Sequence, residues 1–138
     1  MTFDNVFDFL FCGTYIHESS VLLTVLFYLW IGVWEEAVKF GIARLIAKYS
    51  ERPLFVSSFA FGLFEAGLKA FGSGANPFVF VAMPMIHAGI SCLGKRYVYA
   101  VLIHAGYDIS MYYSGWWSSA IFFYTFLFGI YVTFREEK

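Results

Sequence analysis

Charge is what this sequence is shortest of. Asp, Glu, Lys and Arg make up 14% of its 138 residues, against roughly 25% in a soluble globular domain. Nine basic residues against ten acidic ones leave a formal net charge of −1, so no basic field is present to hold nucleic acid. Cysteine is limited to Cys12 and Cys92, with no CxxC or Cys/His cluster, which excludes a thiolate zinc site. The topology inferred below sets the two cysteines at opposite membrane faces, too far apart to bridge, and both are read as small buried hydrophobes. Low-complexity tracts are absent. The stretch Met1–Phe11 has no basic n-region and no small-residue cleavage site, so it is not read as a signal peptide. Its aromatics alternate with acids, which suits a short interfacial segment lying on a bilayer.

What the chain has in excess is apolar surface. It is 60% hydrophobic and 23% aromatic, and a chain this short has too much surface to hide so many Phe, Tyr and Trp from water. The expectation is therefore an all-α integral membrane protein, one polytopic domain over 1–138. A membrane-spanning helix needs ~20 mostly apolar residues. About five such segments can be placed, at 20–48, 54–71, 78–93, 97–113 and 116–134. Ser19-Ser20 caps the first, and Glu51-Arg52-Pro53 ends it. Gly72-Ser73-Gly74-Ala75-Asn76-Pro77 forms the loop after the second. Pro84 should kink the third near His87, and Trp116-Trp117 suits an interfacial belt. Arg44, Lys48, Arg52, Lys95, Arg96, Arg135 and Lys138 then fall on one side and Lys69 on the other. This bias places the N-terminus outside and the C-terminus in the cytoplasm.

Against this background, ionisable residues inside the spans stand out, because they are costly there and mark functional sites. The run Trp34-Glu35-Glu36-Ala37-Val38-Lys39 puts two carboxylates and a lysine in an apolar helix, and Glu65, His87, His104 and Asp108 lie in three others. Counted from the basic ends, Glu35 and Glu36 lie ~12–14 Å deep, Glu65 ~16 Å, His87 ~10 Å, His104 ~12 Å and Asp108 ~18 Å at helical rise. Four separate spans thus carry their polar residues in one slab. The i,i+4 spacing puts His104 with Asp108, Phe61 with Glu65, His87 with Ser91, and Glu35 with Lys39 on shared faces. Lys39 is read as the counter-ion of Glu35 or Glu36, and Lys69 as a snorkelling residue. Ala66-Gly67, Ala88-Gly89 and Ala105-Gly106 follow the polar positions, and such small residues let helix backbones approach closely. A carboxylate beside an imidazole can activate water as a general base. The same groups, Glu36, Glu65, His87, His104 and Asp108, are also adequate ligands for a divalent metal such as zinc, assembled from separate helices.

Four motifs in order, Glu35-Glu36-Ala37-Val38-Lys39, Phe61-Gly62-Leu63-Phe64-Glu65, His87, and His104-Ala105-Gly106-Tyr107-Asp108, resemble those of the PrsW family of intramembrane proteases. That family belongs to the wider superfamily with the CAAX prenyl endopeptidases and bacteriocin-processing enzymes. The resemblance covers about residues 30–110. It implies hydrolysis of a peptide bond in a membrane-anchored peptide or protein, with Glu35 or Glu36 activating water alongside His87 or His104. It also implies that His104 and Asp108 orient substrate or stabilise an oxyanion, with Glu65 in the same site and Lys39 and Phe61 supporting it. Some members of the family are called metalloproteases, whereas the related prenyl endopeptidases resemble glutamate-dependent enzymes. The CAAX branch has His or Arg where this chain has Glu65, and Asn where it has Asp108. Two other readings use the same residues: a proton-coupled transporter or channel, and a non-catalytic protein that binds a membrane partner.

Overall fold

The computed structural model describes residues 21–73, 76–113 and 116–135, the side chains of Ser73, Trp116 and Trp117 excepted. The interfacial segment, Cys12, the Ser19-Ser20 cap and Lys138 lie outside the described residues. Among the described residues five helices follow one another: α1 (Val21–Ile46), α2 (Pro53–Ser73), α3 (Val79–Gly94), α4 (Tyr97–Tyr112) and α5 (Trp116–Phe134). Their local causes are those that the sequence suggests. Past Ile46 the chain tightens into a turn, and Ser50 Oγ accepts a hydrogen bond from the Arg52 N–H at 3.1 Å. Pro53 then opens α2 at the first helical position, where a missing N–H costs nothing. Asn76 Oδ1 accepts from the Phe78 N–H at 2.9 Å, turning the chain into α3. α3 ends at Gly94, and Lys95 just past it has a positive φ of 54°, a backbone angle that more often falls to glycine.

α3 is the axis of the bundle. It packs against α2, α4 and α5, while α1 packs against α2 and α4. The six consecutive residues from Ile86 to Ser91 are all buried, the mark of a helix surrounded on every side. Ile86 and Ile90 with Ala82 form the apolar core, and Ile103, Tyr107, Phe122 and Phe126 close over them. Close backbone approach makes this possible. A Cβ on Gly62 would lie 2.6 Å from Pro84 Cα, and one on Gly89 would lie 2.8 Å from the Thr125 carbonyl oxygen. The small residues expected to seat the helices divide, however. Ala66, Ala88 and Ala105 are buried, but Gly67 and Gly106 face open space, with nothing within 4 Å of where a Cβ would sit.

Two helices, Val21–Ile46 and Pro53–Gly72, are long and apolar enough to cross a membrane, and Val79–Gly94 and Ser118–Phe134 are shorter apolar helices. The expectation of five full spans is therefore met in helix number, and in span length by α1 and α2. At 16 residues each, α3 and α4 reach ~24 Å at helical rise, short of a hydrocarbon core of ~30 Å.

Candidate active site

Each polar residue that the sequence singles out enters one cluster, brought there by four helices. α1 contributes Glu35, Glu36 and Lys39, which are i,i+1 and i,i+4 neighbours on its buried stripe with Ile31, Gly32 and Ala43. α2 contributes Phe61 and Glu65, α3 His87 and Ser91, and α4 His104 and Asp108. Lys39 and Glu36 are fully buried, and Glu35, Glu65, His87 and His104 expose less than a tenth of their surface.

Lys39 is the hub. Its Nζ lies 2.6 Å from Glu36 Oε1 and 2.8 Å from His87 Nδ1. It is also 3.5 Å from His104 Nδ1 and 3.9 Å from Glu35 Oε2, with the Phe61 ring centroid 5.0 Å away as a cation–π partner. Of the two glutamates, Glu36 is thus the main counter-ion. It also accepts from Ser91 Oγ at 2.8 Å and from His104 Nδ1 at 2.8 Å, so both its oxygens are occupied.

Donor counting assigns the imidazole tautomers. An ammonium can only donate, so His87 Nδ1 accepts from Lys39, and the ring proton sits on Nε2, which donates to Glu65 Oε2 at 2.5 Å. The other oxygen of Glu65 pairs with Lys69 Nζ at 2.6 Å. Lys69 is therefore drawn towards the cluster by Glu65, which corrects the expectation that it merely snorkels to an interface. His104 donates its Nδ1 proton to Glu36, which leaves the Nε2 lone pair facing Glu35 Oε2 at 3.4 Å and Asp108 Oδ2 at 3.6 Å. Glu35 Oε2 is buried and makes no hydrogen bond. A cavity of about 380 Å³ lies beside these groups, and Glu35, His104, Asp108, Tyr28, Tyr107 and Lys69 contribute to its lining.

The sequence did not single out Tyr28 or Tyr107, which line the cavity, because tyrosine is common throughout the chain. Nor did it assign Ser91 its partner. The i,i+4 spacing with His87 placed that hydroxyl on the right face, but only the packing of α3 against α1 aims it at Glu36.

The metal ligands expected from the sequence are Glu36, Glu65, His87, His104 and Asp108. Among the described residues, the group that can offer three ligand atoms, all within 4.8 Å of one another, is Glu35, His87 and His104. Glu36 and Glu65 are spent on lysines, imidazoles and Ser91, and Asp108 stands apart beside His104. Even the three-residue group does not fit an ion as it stands, because His87 Nδ1 already takes the Lys39 ammonium. A dication there would sit against that positive charge.

No protein-family model, curated protein or solved structure matches the chain. The resemblance to the PrsW family therefore rests on the four motifs alone.

Proposed function

We propose that the protein is a multi-pass membrane endopeptidase, in which His104 Nε2 and Glu35 Oε2 activate a water held in the cavity. The observation that carries this reading is a buried carboxylate oxygen without a hydrogen bond, 3.4 Å from an imidazole nitrogen whose lone pair faces the same cavity. A water entering between the two groups would bond to both. The Glu36–His104 pair has the logic of a carboxylate–histidine dyad: Glu36 holds the Nδ1 proton and orients the ring, so that Nε2 is the basic end. As the water attacks a peptide carbonyl, its proton passes to Nε2, with Glu35 and Asp108 flanking the imidazolium that forms. That proton then goes to the leaving amine when the C–N bond breaks. His87 is committed on both nitrogens, to Lys39 and Glu65, and acts through position. Tyr28 and Tyr107, which line the cavity, are the phenols that would donate to the carbonyl oxygen.

Membrane residence is supported by the two long apolar helices and by the outward faces of the bundle. Leu22, Leu26 and Trp30 on α1, and Leu63 and Phe64 on α2, are each exposed by two-fifths or more, an apolar surface that lipid covers at no cost. The substrate that fits is a membrane-anchored peptide or protein.

The test is cleavage of a membrane-anchored reporter by the reconstituted protein. His104→Ala and Glu35→Gln should each lower kcat by about 10²–10⁴-fold, the usual value of a positioned base. Ser58→Ala, which removes a buried hydroxyl away from the cavity, should leave cleavage intact. Full cleavage by His104→Ala would exclude the assignment.

One observation favours a second reading, a proton-coupled transporter. Lys69, Glu65, His87, Lys39, Glu36 and His104 form an unbroken line of hydrogen-bonded or ion-paired groups. A pH-gradient-driven flux in vesicles, with no cleavage of any reporter, would select that reading.

A further inference from the structure

We infer that Lys39 is a built-in cation set against a latent metal site formed by Glu35, His87 and His104, and that the cluster holds its geometry with an ammonium beside these ligands in place of a metal ion between them. This concerns only which cation the cluster holds, and stands or falls apart from the protease reading.

The argument is one of donors and charge. Glu35 Oε2, His87 Nδ1 and His104 converge as zinc ligands do, from two imidazoles and a carboxylate. Glu35 Oε2 and His104 Nε2, at 3.4 Å, are already spaced as two ligands of one tetrahedral ion would be. The point that would complete the set lies towards His87 Nδ1, and Lys39 donates to that atom at 2.8 Å. The ammonium is fully buried, held by Glu36 at 2.6 Å and backed by the Phe61 ring. It cannot swing away to solvent. It also does what a metal's neighbours do for metal-ligating histidines, fixing ring orientation and tautomer. For His87 it is the donor that sends the proton to Nε2. For His104 it polarises Glu36, which takes the Nδ1 proton and turns Nε2 to the cavity. Lys39 is in this sense a positioning residue. Its removal should free His87 Nδ1 and leave three converging ligands around an uncompensated negative charge, which is a site for a dication.

The experiment uses the full-length protein, equilibrated with Zn²⁺ and then dialysed, with bound zinc measured by mass spectrometry. The wild type should retain no stoichiometric zinc. Lys39→Met should bind Zn²⁺ more tightly by roughly ten- to a hundredfold, the effect typical of groups adjoining metal ligands, and adding His104→Ala should abolish the gain. Because Lys39→Met leaves Glu36 buried without its partner, the same measurement is made on Glu36→Gln/Lys39→Met, which removes both charges together. A third readout needs no variant for its effect: ¹⁵N spectra of the wild-type histidines should show His87 protonated at Nε2 and bare at Nδ1. Stoichiometric zinc in the wild type that is lost with His104→Ala would overturn the inference. So would a folded double variant with no gain in zinc, or a His87 proton on Nδ1.

Discussion

Glu35 and Glu36 are adjacent in sequence, equal in chemistry and opposite in situation. Glu36 is the anchor, with Lys39, Ser91 and His104 all donating to it. Glu35 keeps an oxygen that nothing satisfies. Leaving a buried charge pair half-broken costs ~3–5 kcal/mol, so Glu36→Ala should lower unfolding free energy by about that amount in detergent denaturation. Glu35→Gln should change stability by less than ~1 kcal/mol or raise it, because an amide N–H can donate to His104 Nε2 where the carboxylate could not. The same substitution is expected to lower kcat by about 10²–10⁴-fold. A residue whose loss improves stability and removes activity is the signature of a site held ready for something other than folding. Equal destabilisation by both changes would mean that the two glutamates share one structural role.

At the level of the helices, the crossings depend on particular glycines rather than on small residues in general. Gly62 lies against the backbone of Pro84, and Gly89 against that of α5. Backbone cannot move aside as a side chain can, so Gly62→Ala and Gly89→Ala should each cost ~1–3 kcal/mol as overpacking. Gly67→Ala and Gly106→Ala meet open space and should stabilise by up to ~1 kcal/mol through helix propensity alone. Thermal melts of the four variants would separate the groups, and a penalty at Gly106 would show that its face is covered by something beyond this chain. The other end of the bundle is tied by Arg52, which donates to the Val132 carbonyl oxygen and, at 3.1 Å, to that of Thr133. A cation at the last carbonyls of α5 satisfies acceptors that the helix itself cannot and offsets its dipole.

For the whole molecule, the convergence of Arg52, Lys95 and Arg135 around one hollow between the helix ends gathers basic side chains that are far apart in sequence. In the multi-pass reading proposed above, the positive-inside rule puts this end in the cytoplasm, and the protein should remain in the membrane pellet after alkaline carbonate extraction. In a background lacking Cys12 and Cys92, Pro77→Cys at the opposite end should react with a membrane-impermeant maleimide in intact cells. Lys95→Cys should react only after permeabilisation. Inverted labelling would reverse the orientation, and release into the supernatant would remove the bilayer from the account.

Much of the site was legible before any fold was known. Depth along each apolar segment is set by a fixed rise per residue, and facing by 3.6 residues per turn, so His104 with Asp108 and Glu35 with Lys39 could be placed from spacing alone. The five helices follow equally from apolar runs interrupted at Pro53, at Asn76-Pro77, at Gly94 and at Ser114-Gly115. Choices among equivalent groups were not legible. Helical periodicity puts Glu35 and Glu36 ~100° apart and does not say which meets the lysine, which imidazole nitrogen carries a proton, or whether Lys69 turns inward. These depend on contacts between residues far apart in the chain, where a difference of an ångström separates a hydrogen bond from none. Sequence determined that acids, imidazoles and a lysine would meet in one buried layer. Only the tertiary structure decided that Lys39 would stand at its centre and that the Glu35 oxygen would be left unsatisfied.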